Sequence, residues 1–482
     1  MIGPKRVAKN SAVLFLAQAY STLTLVVYIP LLTRYLGQDG YGRYSYAYAF
    51  VGLFQVLALL GIHHIFIRET ARNKDKAGLY FGNLLVLKVI LTAVTMTLIL
   101  YAAILRGLTS EDLLIIGIVA AEMMIRIYVN LNVSIYRAFE KMEYEFLLLF
   151  IDRSVGLVGI LLVIHLRLGL TAVLVAFLAS AVVRGIVGFS ITLAKFVKPR
   201  FGLDLSLWKY FLAASIPIGM SLGIQRVYER QGTVILEGTR GVGEVGLFAG
   251  ALRIYGLSSL AASSLIGALF PVFSQLAISS KERLAKMYQT GLKFLLLFSL
   301  PMCAGIMIWA DDIALLVLGP EFATTSVALR ILAPAIPISF LGYLSSSTLR
   351  SADQQARDTM IWASSLAINL LLNLVLIPRY GLVGASFALV ASETVFCSLS
   401  LIVVTRYICS VSIREVFVGP LACGLIAGTV MLALQRIPFS LSLVVGGIAY
   451  LTSIYLLGIL NARETALLRE LAVTVVPWRN RS

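Results

Sequence analysis

Eight basic side chains stand inside apolar stretches of this 482-residue chain: Lys88, Arg126, Arg153 and Arg184 before residue 200, and Arg226, Arg230, Arg253 and Arg330 after it. The acids in such stretches are fewer: Glu122, Asp152, Glu229 and Glu393. A charge at the centre of a membrane helix costs about 2.5–3.5 kcal/mol. Eight facing lipid would cost on the order of 20 kcal/mol. The spacing predicts instead a water-filled cavity in which an anionic ligand pairs with them. Arginine offers a planar donor fork suited to phosphate oxygens. Glu122 and Arg126, four apart, share a helix face, as do Arg226 and Arg230. Glu122 can neutralise Arg126, and Glu229 can neutralise Arg226. The residues expected to line a cationic cavity are Lys88, Arg126, Arg184, Arg226, Arg230 and Arg253. Arg153 and Arg330 fit a structural ion pair or snorkelling near an interface equally well. Glu122, Asp152, Glu229 and Glu393 are candidates for charge balance or for coupling to a proton or sodium gradient. The chain carries no nucleotide-binding loop, no HExxH and no nucleophile–base arrangement. No catalytic residue, metal site or cofactor is expected.

The elements that must position these charges are membrane helices. Hydrophobic residues make up 59% of the chain and charged ones 13%, with a mean hydropathy of +0.91. An average soluble domain holds roughly 45–50% apolar residues. Apolar runs long enough to cross a hydrocarbon core recur from end to end. Fourteen spans are expected, the first over 11–33 and the last two over 416–436 and 438–460. The basic N-terminus leads into a run too long for a cleaved signal, so it is read as the first span. Cys303, Cys397, Cys409 and Cys423 lie in or beside apolar segments without metal or disulfide spacing and read as packing residues.

The net charge of +16 does not point to nucleic acid, because the positives fall in short loops on alternate sides of the spans. With the N-terminus inside, twenty-five lie in cytoplasmic segments and seven in outer ones, which places both termini in the cytoplasm. The basic tail over 461–482 is expected on the inner membrane surface. The chain also repeats. "RLGLTAVLVAFLAS" (167–180) returns as "RYGLVGASFALVAS" (379–392), offset by 212, and "GYGRYSYAYAF" (40–50) has a weaker echo in "EVGLFAGALRI" (244–254), offset by 204. A six-span unit preserves orientation, so the halves are expected to be related by a pseudo-two-fold along the membrane normal. The fold class is therefore all-α and polytopic: two six-helix lobes, 1–200 and 201–410, with two further helices and a tail over 411–482.

Three stretches resemble a known family. "LLTRYLGQDGYGRYSYAYAF" (31–50) is similar to the first outer turn, "IYRAFEKMEY" (135–144) to the basic elbow after the fourth span, and "DDIALLVLGPEFATTSVALRIL" (311–332) to the outer turn between spans nine and ten of Wzx-type O-antigen and polysaccharide flippases. These belong to the multidrug/oligosaccharidyl-lipid/polysaccharide exporter superfamily. The resemblance covers the whole chain. It implies a transporter, not an enzyme, in the bacterial cytoplasmic membrane. Its substrate would be an undecaprenyl-pyrophosphate-linked oligosaccharide, carried to the outer leaflet by alternating access. Membrane lipids would surround it, and a polysaccharide polymerase and chain-length regulator are candidate partners. A lipid II flippase is the nearest alternative. A drug or organic-cation antiporter would favour twelve spans and an acidic cavity. A polymerase or ligase would favour a large outer loop, and every outer connection here is short.

Overall fold

The computed structural model describes residues 4–460 apart from 413 and 438; the basic tail lies outside the described residues. It is a chain of helices joined by short turns, with no strand among the described residues. In order these are α1 (Pro4–Leu59), α2 (Ile62–Arg72), α3 (Ala77–Leu105), α4 (Ser110–Ala138), α5 (Met142–Leu166), α6 (Gly169–Lys195), α7 (Leu205–Arg240) and α8 (Val242–Ser279). They continue as α9 (Lys281–Ile308), α10 (Ala310–Val317), α11 (Thr325–Leu332), α12 (Ala335–Ser351), α13 (Gln355–Tyr407), α14 (Gly419–Ala433) and α15 (Phe439–Leu456). Among the described residues, nine helices are long and apolar enough to cross a membrane, or ten if the bent pair α11–α12 is one span. The protein is an all-α, multi-pass membrane protein.

Two of those helices are not continuous rods. α1 breaks at Gly37 (φ 67°, ψ −176°) and α13 at Gly381 (φ 56°, ψ −132°). Such backbone is open to glycine and costly for other residues. The breaks follow the two sequence offsets. Gly241, which the shorter offset pairs with Gly37, has nearly the same conformation (φ 83°, ψ 177°) at the head of α8. Gly169, which the longer offset pairs with Gly381, also has a positive φ (73°) at the head of α6.

The described chain forms two compact units. The first comprises 1–249 together with 317–321. Its core gathers Phe66, Phe81, Leu84, Tyr136, Leu148 and Phe211 from α2, α3, α4, α5 and α7. The connection from α6 to α7 is laid into α3. Arg200 N donates to Gly78 O (2.8 Å), Asp204 N to Asn83 Oδ1 (3.1 Å) and Trp208 Nε1 to Asn83 O (3.2 Å). A Cβ on Gly82 would stand 2.2 Å from Arg200 O, so only glycine admits this path. α7 then closes on the α1–α2 turn, where a Cβ on Gly219 would meet Leu60 O at 2.8 Å.

The second unit comprises 250–316 and 322 onward. α12 packs on α13 and α9, with Tyr343 against Trp362 and Phe396 of α13 (ring centroids 6.2 and 5.8 Å) and the Phe396 ring over Gly342. Tyr288 and Ser345 share a buried hydrogen bond of 2.6 Å. α14 packs on α9 and α15, with Tyr450 donating to Leu297 O and Cys423 and Ala427 filling the contact. Cys397, Cys409 and Cys423 are buried and Cys303 is half-buried, all as free thiols.

Candidate functional site

Three helices of the first unit bring five charged side chains together. Glu122 and Arg126 stand one turn apart on α4, Asp152 and Arg153 are adjacent on α5, and Ser180 and Arg184 stand one turn apart on α6. Arg126 donates through Nε to Glu122 and through Nη1 to Asp152 Oδ2 (2.9 Å). Arg184 Nη1 donates to the same Oδ2 (3.3 Å), and Ser180 Oγ donates to Oδ1 (3.3 Å). The carboxylates form the base of the group: Glu122 is 2% exposed and Asp152 3%, against 28% for Arg126 and 15% for Arg184. A buried carboxylate persists only when paired. Here two acids hold two guanidiniums that reach further toward the surface.

α1 fixes the far side of α5. Tyr20 shares a hydrogen bond with Ser154 (2.8 Å), Tyr28 donates to Arg153 O and Tyr35 donates to Val163 O (3.3 Å). Arg153 reaches Ser21 Oγ at 3.4 Å. Among the described residues, the buried Nε atoms of Arg153 and Arg184 have no hydrogen-bond partner. Three guanidiniums around two carboxylates leave a local excess of positive charge with donors to spare. That arrangement can accept an oxyanion.

The other candidate residues lie elsewhere. Lys88 is buried and donates to the main-chain oxygens of Ala58 and Leu59 (the latter at 3.0 Å), where α1 ends. Arg226 pairs with Glu229 at 3.2 Å on α7, both about half exposed. Arg230, on the same helix, lies against Gly52 of α1. Arg253 is exposed on α8 and Glu393 is buried on α13, both in the second unit. Arg330 pairs with Asp311 across the α10–α11 turn. Hydrogen bonds from Ser326 and Arg330 hold the Asp311 carboxyl below the ordinary carboxylate range. Among the described residues no cluster of three His, Cys, Asp or Glu side chains could hold a metal ion.

The Glu122–Arg126 pair is readable from spacing. The Asp152–Arg184 bond and the parts of Ser180, Ser21 and Tyr28 are not. The one sequence signal for them is the i, i+4 spacing of Ser180 and Arg184, the same as that of Glu122 and Arg126.

Comparisons with known proteins agree with a transporter. The family described as polysaccharide biosynthesis protein matches residues 7–277, and the MatE family matches 217–375. A probable low-salt glycan biosynthesis flippase, Agl15 of Haloferax volcanii, is 23% identical over 80% of this chain and 81% of its own. The capsular polysaccharide biosynthesis protein CapF of Staphylococcus aureus is 23% identical over 80% of this chain and 96% of its own. Among solved structures, the lipid II flippase MurJ in an inward closed conformation superposes with a TM-score of 0.79 at 15% identity, covering 92% of this chain and 98% of that one. An inward-facing multidrug resistance MATE transporter superposes at 0.66 with 18% identity, over 80% of this chain and 97% of that one. At these identities the superpositions establish the fold.

Proposed function

Because the chain belongs to the polysaccharide biosynthesis protein family of the multidrug/oligosaccharidyl-lipid/polysaccharide exporters, we propose that it is a flippase for a lipid-linked glycan. The observation that carries this reading is the Glu122–Arg126–Asp152–Arg184 group with Arg153 beside it. A pyrophosphate supplies the oxyanion that such an arginine cluster can take up. The names of its relatives point the same way: one is a glycan biosynthesis flippase, another a capsular polysaccharide biosynthesis protein.

In this reading the substrate is an undecaprenyl-pyrophosphate-linked oligosaccharide, moved from the cytoplasmic to the outer leaflet of the cytoplasmic membrane. Arg126 and Arg184 bind the pyrophosphate, with Arg226, Arg230 and Arg253 as further contacts along its passage and Lys88 as the remaining candidate. Glu122 and Asp152 set the charge of the site, and with Glu229 and Glu393 they are the candidates for ion coupling. The lobes are 1–200 and 201–410, with 411–482 as the appendix, and they alternate between inward-open and outward-open states. The matched glycine conformations at offsets 204 and 212 support a duplicated six-helix unit. Taking Gly37 and Gly381 as turns, and counting α4, the α11–α12 pair and α15 as crossings, gives fourteen passes. A polymerase and a chain-length regulator are the proposed protein partners.

The test is a strain lacking this protein. Surface polysaccharide should be lost while the lipid-linked repeat unit accumulates on the cytoplasmic face. Normal surface polysaccharide with altered resistance to cationic compounds would favour an antiporter. Accumulation of lipid II instead would favour the cell-wall precursor, a reading that the MurJ-like fold keeps in play.

A further inference from the structure

Among the described residues, 317–321 are the only part of the chain beyond 249 that groups with the first unit, and they are flanked on both sides by chain of the second. Their docking place is the break in α1. Glu321 Oε2 accepts a hydrogen bond from Gln38 N at 3.1 Å, capping the helical arm 38–59 at its first turn. A Cβ on Gly37 would stand 2.6 Å from that carboxylate oxygen. In return, a Cβ on Gly319 (φ 105°) would stand 3.1 Å from Arg34 Cγ. Each segment thus carries a glycine where the other presses a long side chain.

The same helical arm is gripped from another side. A Cβ on Gly42 would overlap Val242 O at 1.9 Å, and a Cβ on Gly246 would overlap Gln38 O at 2.1 Å. The shorter repeat offset pairs Gly42 with Gly246 and Gln38 with Val242, so the crossing is made by corresponding positions of the repeat. Immediately behind it is a chamber of ~100 Å3 lined by Arg43, Tyr46, Ala47, Glu237 and Val242. Arg106 pairs with Glu237 of that lining at 2.8 Å.

We propose that the junction at Gln38–Gly42 is a releasable closure and that the 317–321 segment is its strap, with Glu321 as the latch. The glycine crossing lets two backbones meet without interlocked side chains, so it can part without repacking. The latch is a single exposed carboxylate on a helix N-terminus, strong enough to bias the closed state and weak enough to let go. This holds whatever the cargo is.

The test uses purified full-length protein in nanodiscs, with Cys303, Cys397, Cys409 and Cys423 replaced by serine or alanine. Ala47→Cys, buried behind the crossing, reports opening by its rate of reaction with a bulky maleimide. Glu321→Gln keeps the size of the side chain and removes its charge. It should raise that rate about three- to tenfold, as expected for loss of one charge-assisted cap. A bridge between Gln38→Cys and Glu321→Cys should suppress labelling, and reduction should restore it. An unchanged rate in Glu321→Gln, or labelling that ignores the bridge, overturns the proposal. Failure of the two cysteines to bridge in folded protein would overturn the contact itself.

Discussion

Asp152 accepts from two guanidiniums at once and is followed in the chain by a third arginine. Removing one partner of a buried ion pair costs about 3–5 kcal/mol. The partial exposure of Arg126 and Arg184 lowers that here. Asp152→Asn is therefore expected to destabilise the protein by about 2–4 kcal/mol, read as a lower unfolding temperature in detergent. Ser180→Ala, which loses one neutral donor at 3.3 Å, should cost about 1 kcal/mol or less. Equal effects of the two would show that Asp152 is not the keystone. Arg126→Lys separates charge from geometry, because an ammonium keeps the charge but cannot fork between Glu122 and Asp152. It should fold normally and export at least tenfold less glycan. Parental export by Arg126→Lys would mean that positive charge alone suffices. The Glu122–Arg126 pair was legible because helical spacing binds i to i+4. Asp152 and its two arginines come from three different helices, and local periodicity carries no information across the turns between them.

At the level of elements, the α1–α2 turn gives a buried charge a partner that residue type alone does not reveal. α1 ends at Leu59, and Leu60 (φ 45°) and Gly61 (φ 69°) reverse the chain with positive φ. The last carbonyls of a helix have no partner within it. Lys88 reaches from α3 to two of them, at Ala58 and Leu59. In the sequence Lys88 is an isolated cation in an apolar run, and a main-chain oxygen has no letter by which to recognise it as the partner. Lys88→Met should leave those carbonyls unsatisfied, at about 1–3 kcal/mol for each buried group. Stability and export should fall together. Loss of export at an unchanged unfolding temperature would instead place Lys88 on the substrate path. Gly219→Ala disturbs the same turn from α7, since its Cβ would meet the Leu60 backbone. The two changes should therefore be non-additive, with a coupling of about 0.5–3 kcal/mol in a double-mutant cycle.

For the whole molecule, the membrane class follows from composition. The proposed number of passes rests on where the charges fall and on two glycine breaks inside long helices. α1 and α13 extend over 56 and 53 residues, and each contains a glycine break between two apolar arms. α4 is missing from the nine apolar helices; it carries Glu111, Asp112, Glu122 and Arg126. What the repeat could not supply is packing. By sequence α7 opens the second half, whereas its contacts with α1, α2 and α3 join it to the first unit. The proposed fourteen passes make a sharp prediction. Single cysteines replacing Asp39, Leu168 and Tyr380, all exposed, should react with a membrane-impermeant maleimide on intact cells. Those replacing Lys76 and Asp353, also exposed, should react only after the membrane is opened. Because each pass inverts everything after it, a miscounted span between 169 and 352 would exchange the behaviour of Asp353 and Tyr380 and leave the other three unchanged. An error at Gly37 would instead invert Lys76, Leu168, Asp353 and Tyr380 together relative to the N-terminus. The pattern of labelling would therefore bracket the faulty stretch of chain before residue 380 as well as reveal it.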